Sequence, residues 1–168
     1  MYGLHQLLTT RSFAAFVLAI VTTAAFAEKA DLVVVKKSES RLYLQRGGKQ
    51  IASFKIALGA DPEGHKQQEG DERTPEGRYV LDSKNPKSAY FKSIHISYPN
   101  AVDVATAKAH GVNPGGLIMI HGQKNGLGWL AALAQLFDWT DGCVALSNDD
   151  MEKLWSAVDV GTRIEIYP

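Results

Sequence analysis

The sequence predicts a mainly β chain with a few helices, an α+β domain of sandwich-like or barrel-like architecture. Three observations lead there. Short runs of alternating or β-branched residues recur along the chain, and glycine, proline and charged residues punctuate them. Helical periodicity is confined to a few stretches of the second half. At 168 residues, with 45% hydrophobic residues, 15 Gly and 6 Pro, the chain also has the length and composition of one globular domain. Its 18 Lys+Arg balance 18 Asp+Glu, which excludes the broad basic surface of a general nucleic-acid binder.

Residues 1–27 read as a signal peptide rather than as part of the fold. Arg11 is their one charge, an apolar run covers residues 13–26, and Ala25-Phe26-Ala27 gives an A-x-A exit before Glu28. The apolar run of 14 residues is shorter than the roughly 18 to 20 needed to cross a bilayer. No cysteine follows it to carry a lipid. The expected domain is therefore residues 28–168, exported, with no membrane span after cleavage.

Along that domain, residues 31–36 and 41–45 are strand-like runs around a polar turn, and residues 50–58 alternate Ala52, Phe54, Ile56 and Leu58 against Ile51, Ser53, Lys55 and Ala57. Residues 59–77 hold four Gly, two Pro and many charges, which predicts a long solvated loop that closes over substrate. Residues 78–82 and 94–98 are further strands. A short helix over 100–110 ends at Gly111, and the apolar run 117–121 is a central strand. Residues 127–137, rich in Ala and Leu, predict a well-buried helix. Ser147 or Asn148 caps a last helix from Asp149 that turns Met151, Leu154, Trp155 and Val158 to the core. Residues 162–167 alternate as a final strand.

The chemistry centres on Cys143, the lone cysteine. In an exported protein an odd cysteine is an intermolecular partner or a free reactive thiol. It sits in Thr140-Asp141-Gly142-Cys143-Val144, and His121 lies 22 residues earlier at a strand end. A thiol is mostly protonated at neutral pH, and an imidazole beside it can take the proton and hold an ion pair. Residue types alone leave two readings open, an activated nucleophile or a packed thiol beside a surface histidine. Trp129 and Trp139 flank the segment and read first as packing residues. His65, His95 and His110 have no ligand spacing, so no metal is expected.

These residues resemble the L,D-transpeptidase catalytic domain family of the YkuD type. The family pattern is a His, 16 to 19 residues, then Ser/Thr-His-Gly-Cys, a hydrophobic residue and Arg or Asn. Here His121 precedes Thr140-Asp141-Gly142-Cys143-Val144-Ala145 by 18 residues. Thr74-Pro75-Glu76-Gly77-Arg78-Tyr79 is similar to the family's Thr-Pro-x-Gly-x-Tyr/Phe stretch, and residues 115–122 are similar to the strand that enters its histidine.

The resemblance implies a β-sandwich-like catalytic domain beyond the inner membrane, in the periplasm or cell envelope, acting on peptidoglycan stem peptides without a cofactor. It assigns Cys143 as nucleophile, His121 as base, and the Gly122 carbonyl as the group orienting the imidazole. Thr140, Asp141 and Gly142 lie near the site, with backbone N–H groups near Gly142 and Cys143 as the oxyanion donors. By their place in the sequence, Arg73 on the long loop and Trp139 are candidate substrate contacts, a solvated arginine and a packing ring being the other readings. Two residues depart from the pattern: Asp141 stands for His, and Ala145 for Arg or Asn. This Asp-Gly-Cys form resembles the branch grouped with murein L,D-transpeptidase YafK, which includes an amidohydrolase that frees lipoprotein from peptidoglycan. The resemblance thus implies an amine acceptor, with water, or an envelope protein as partner, as the alternative. A peptidoglycan-binding module without catalysis is the remaining class.

Overall fold

The computed structural model describes residues 29–168, so the signal peptide expected over residues 1–27 lies outside the described residues. Eight strands form one curled sheet: β1 (Leu32–Lys36), β2 (Arg41–Arg46), β3 (Lys49–Lys55), β4 (Gly77–Asn85), β5 (Ser93–Ile96), β6 (Met119–His121), β7 (Val144–Ala145) and β8 (Arg163–Tyr167). Three helices accompany them: α1 (Ala101–Ala109), α2 (Ala131–Ala134) and α3 (Asn148–Ala157). The spatial order is β3-β2-β1-β8-β4-β5-β6-β7. The β1–β8 and β6–β7 pairs are parallel and the others antiparallel.

β4 makes the curl possible. Its first residues, Gly77–Val80, pair with β8, and after an irregularity between Leu81 and Ser83 the rest pairs with β5. A bulge of this kind bends a strand and increases its twist, so one strand serves both halves. Beyond β3 the chain closes the curl: Ala57 and Ala145 exchange N–H···O=C bonds of 2.9 and 2.8 Å. The alternating positions Val33, Val35, Leu42, Leu44, Phe54, Ile56, Ile94, Ile96, Ile164 and Ile166 fill the inside together with Leu146, Met151 and Leu154. Each such side chain contributes about 1.5–3 kcal/mol by leaving water.

The helix ends follow local chemistry. The Asn100 side chain accepts the N–H groups of Val102 and Asp103, while the Asp103 carboxylate accepts the Asn100 N–H, a reciprocal cap. Ser147 caps α3 through the Asp150 N–H, and Asp149 and Asp150 lie in its first turn, where the helix dipole favours acids.

Two expectations are corrected. Residues 127–137 form a 3-10 turn, Gly128–Leu130, and only four residues of α2, and their apolar side chains face out: Trp129 is 79%, Leu133 57%, Leu136 59% and Phe137 66% exposed. The segment has too few helical residues to offer the core a continuous apolar face. The free solvated loop expected over 59–77 is corrected in part: residues 67–70 and 72 are exposed, but the loop is pinned to its neighbours. Lys37 Nζ donates to the Gly64 and Thr74 carbonyls at 2.6 and 3.2 Å and pairs with Glu76 at 2.7 Å. Buried Lys66 pairs with Asp71 at 2.7 Å.

Candidate active site

The loop 140–143 is shaped by one hydroxyl. Thr140 Oγ1 donates to the Cys143 carbonyl at 2.7 Å and accepts the Gly142 N–H at 3.2 Å, which tightens the turn that delivers Cys143 to β7. Gly142 has φ +116°, and a Cβ there would stand 2.5 Å from the Arg73 carbonyl oxygen. A Cβ on Gly59 would stand 2.0 Å from the Glu72 carbonyl oxygen. The pinned loop 59–77 therefore abuts the Cys143 turn backbone to backbone, a Cβ on Gly59 also standing 3.0 Å from the Gly142 Cα, and Thr74 Oγ1 accepts the Gly59 N–H at 3.1 Å.

His121 ends β6, in parallel register with Ala145 of β7, one strand over from the cysteine turn. Its Nδ1 lies 2.6 Å from the Gly122 carbonyl oxygen. A carbonyl only accepts, so the proton is assigned to Nδ1 and the free lone pair to Nε2. Gly122 must lack a side chain, because a Cβ would meet Asn148 Oδ1 at 2.7 Å. Two rings wall the imidazole. Tyr90 lies 4.7 Å from it between centroids, Trp139 meets it edge-on at 5.9 Å, and Tyr90 and Trp139 stack at 6.4 Å. Trp139 Nε1 is buried with no hydrogen-bond partner among the described residues.

A cavity of about 360 Å³ joins Cys143, His121, Thr140, Asp141 and Trp139 to Ser88, Tyr90, Leu117 and Met119. The last four were not legible in the sequence. Ser88 and Tyr90 lie in the irregular β4–β5 connection, where an aromatic pair, Tyr90-Phe91, was the one available signal. Leu117 adopts φ 57° and is 76% exposed at the rim, a left-handed conformation that side chains other than glycine adopt at a cost. Arg73 does not line the cavity; its Nε pairs with Asp61 at 3.0 Å. Trp129 stands outside it, in the exposed segment.

Burial pushes the Cys143 thiol up, the charge of Asp141 adds to that, and the Met119 N–H (3.4 Å from Sγ) and Lys66 oppose it. Burial also pulls the His121 imidazolium down, against the Gly122 carbonyl. No hydrogen bond joins Sγ to the imidazole among the described residues; Sγ instead faces the Leu117 carbonyl at 3.8 Å. The resting pair is thus a neutral thiol and a neutral imidazole rather than an ion pair, because burial penalises both charged forms. Among the described residues no group of His, Cys, Asp or Glu could hold a metal ion.

The model of the L,D-transpeptidase catalytic domain, YkuD, matches residues 30–166. This chain belongs to that family. The L,D-transpeptidase YafK of Escherichia coli (strain K12) is 30% identical to this chain over 138 residues, 76% of this chain and 48% of YafK. Among solved structures, the helical cell shape determining protein Pgp2 of Campylobacter jejuni is 30% identical with a TM-score of 0.60, covering 80% of this chain and 46% of Pgp2. Bd1075 of Bdellovibrio bacteriovorus is 25% identical with a TM-score of 0.56, covering 87% of this chain and 50% of its own. The chain spans about half the length of these relatives.

Proposed function

We propose that this L,D-transpeptidase-family protein is a cell-envelope cysteine acyltransferase that cross-links peptidoglycan stem peptides. The observation that carries this reading is the shared cavity: Cys143 and His121 open on one space, with the imidazole's Nδ1 committed to the Gly122 carbonyl and Nε2 left as a base. The likeness to Pgp2, a helical cell shape determining protein, supports a role in the wall.

As the carbonyl of the third stem residue enters, the Cys143 proton passes to His121 Nε2 and Sγ bonds to the carbonyl carbon. The Gly142 N–H is already spent on Thr140 Oγ1, which leaves the Cys143 N–H as the backbone donor to the oxyanion. Collapse breaks the C–N bond, and the imidazolium proton leaves on the nitrogen of the terminal D-amino acid. An amine of a second stem then attacks the thioester, gives its proton to His121, and releases the thiolate, which takes that proton back.

Product mass spectrometry tests this. The protein and its Cys143→Ala variant are incubated with disaccharide-tetrapeptide. The expected product is a cross-linked dimer short of one D-alanine, absent with the variant. Tripeptide alone would make water the acceptor and the protein a hydrolase. No product from either would overturn the stem-peptide reading, and sacculi bearing attached lipoprotein would be the next substrate.

A further inference from the structure

Asp141 is the one formally charged side chain on the cavity that holds Cys143. It is exposed and makes no hydrogen bond or ion pair among the described residues. The cation whose charge reaches the site, Lys66, is committed to Asp71 at 2.7 Å and to the Gln68 carbonyl at 3.1 Å, so it does not neutralise Asp141. The stacked rings of Tyr90 and Trp139 line the same cavity. A cavity lined by an unpaired carboxylate and aromatic rings has the chemistry that receives an ammonium group, through charge and through the negative faces of the rings.

We propose that Asp141, with Tyr90 and Trp139, holds a primary ammonium group of the acyl donor beside Cys143. The enzyme would thereby select donors that are cationic near the scissile carbonyl. The inference rests on the acyl-transfer reading above and gives a purpose to a residue that otherwise works against the chemistry. An unpaired carboxylate opposes the Cys143 thiolate. An ammonium bound to it offsets that charge when the thiolate has to form; burial, the larger opposition, stays, and the cationic donor removes the part that Asp141 adds. The ammonium must arrive with the donor, because acylation is the step that needs the thiolate.

Two measurements test the proposal, one of them independent of the acyl-transfer reading. The first compares modification of Cys143 by the cationic 2-aminoethyl and the anionic 2-sulfonatoethyl methanethiosulfonates. The cationic reagent is expected to react faster by about fivefold, the size of an exposed ion pair, with the ratio collapsing in Asp141→Asn and retained in Asp141→Glu. The second follows the Cys143 adduct by intact mass with disaccharide-tetrapeptide whose third residue carries a free side-chain amine, and with the same compound acetylated on that amine. The free amine should acylate about fivefold faster, and Asp141→Asn should bring the two donors together.

A preference that survives in Asp141→Asn, or a wild type that discriminates neither pair, overturns the proposal. A reagent ratio that depends on Asp141 without an adduct from either peptide would overturn the acyl-transfer reading and leave Asp141 standing as a cation site.

Discussion

Cys143 and His121 share a cavity as two neutral groups with no hydrogen bond between them among the described residues, and this sets how the site responds to pH. The thiol is raised above its ordinary value of 9.0 by burial first and Asp141 second, and the imidazole is lowered below 6.5 by burial. With the Cys proton on and Nε2 free between those limits, the pair is ready as thiol plus base. Iodoacetamide labelling of Cys143 in the free protein should therefore be slow at pH 7 and rise in one step above pH 9.0. A reactive plateau persisting below pH 6.5 would instead reveal a thiolate–imidazolium pair and contradict the geometry. The acid limb of kcat/KM should fall below 6.5, the ordinary value that His121 lies under. Cys143 and His121 line one cavity; residue types left their relation open, and it was the resemblance to the family's His and Gly-Cys pattern that singled them out. Tyr90 was not, since only the fold brings an irregular β4–β5 loop to the imidazole.

Among the elements, those whose side-chain period matches their burial were readable, and those that are merely apolar were not. β2 and β8 alternate because one face meets the core, β1 is a run of three buried valines, and α3 announces itself through Ser147 and the spacing of Met151 and Leu154. Residues 127–137 mislead because an uninterrupted apolar composition resembles a buried helix, whereas its four helical residues leave Leu133 and Phe137 in solvent. Periodicity carries information about burial that composition lacks. Urea unfolding distinguishes the two kinds of apolar residue. Leu133→Ser and Phe137→Ser should each shift stability by less than about 0.5 kcal/mol. Leu154→Ala, at a fully buried position of α3, should cost about 2–5 kcal/mol. A loss above 2 kcal/mol for Phe137→Ser would mean that the segment packs against something after all.

For the whole molecule, the loop 59–77 behaves as a wall built from internal charges. Lys37, His65 and Lys66 reach into it or out of it: His65 accepts the Glu76 N–H at Nδ1 and faces Asp103 at 3.1 Å through Nε2. Asp71 accepts the N–H groups of Gln67, Gln68 and Arg73 as well as pairing with Lys66. This wall supports the Cys143 turn through the Arg73–Gly142 and Gly59–Gly142 approaches, so loop stability and site geometry are linked. Acid should separate its contributions. His121, depressed by burial, makes the unfolded chain the better proton binder once pH falls below 6.5, so stability begins to fall there. Asp71 follows. Burial raises its pKa, but Lys66 and the three N–H groups outweigh that and leave the carboxyl below its ordinary 3.8. Its stabilisation is complete above 3.8 and is lost as pH drops through the lower folded value. Thermal melts from pH 8 to 2 should accordingly show two declines. In Asp71→Asn the decline below 3.8 should shrink while that below 6.5 remains. The variant should also lose acylation by the stem-peptide donor, because the wall behind Gly142 loosens. Full activity in a variant that has lost the lower decline would show that the loop stabilises the fold without holding the site.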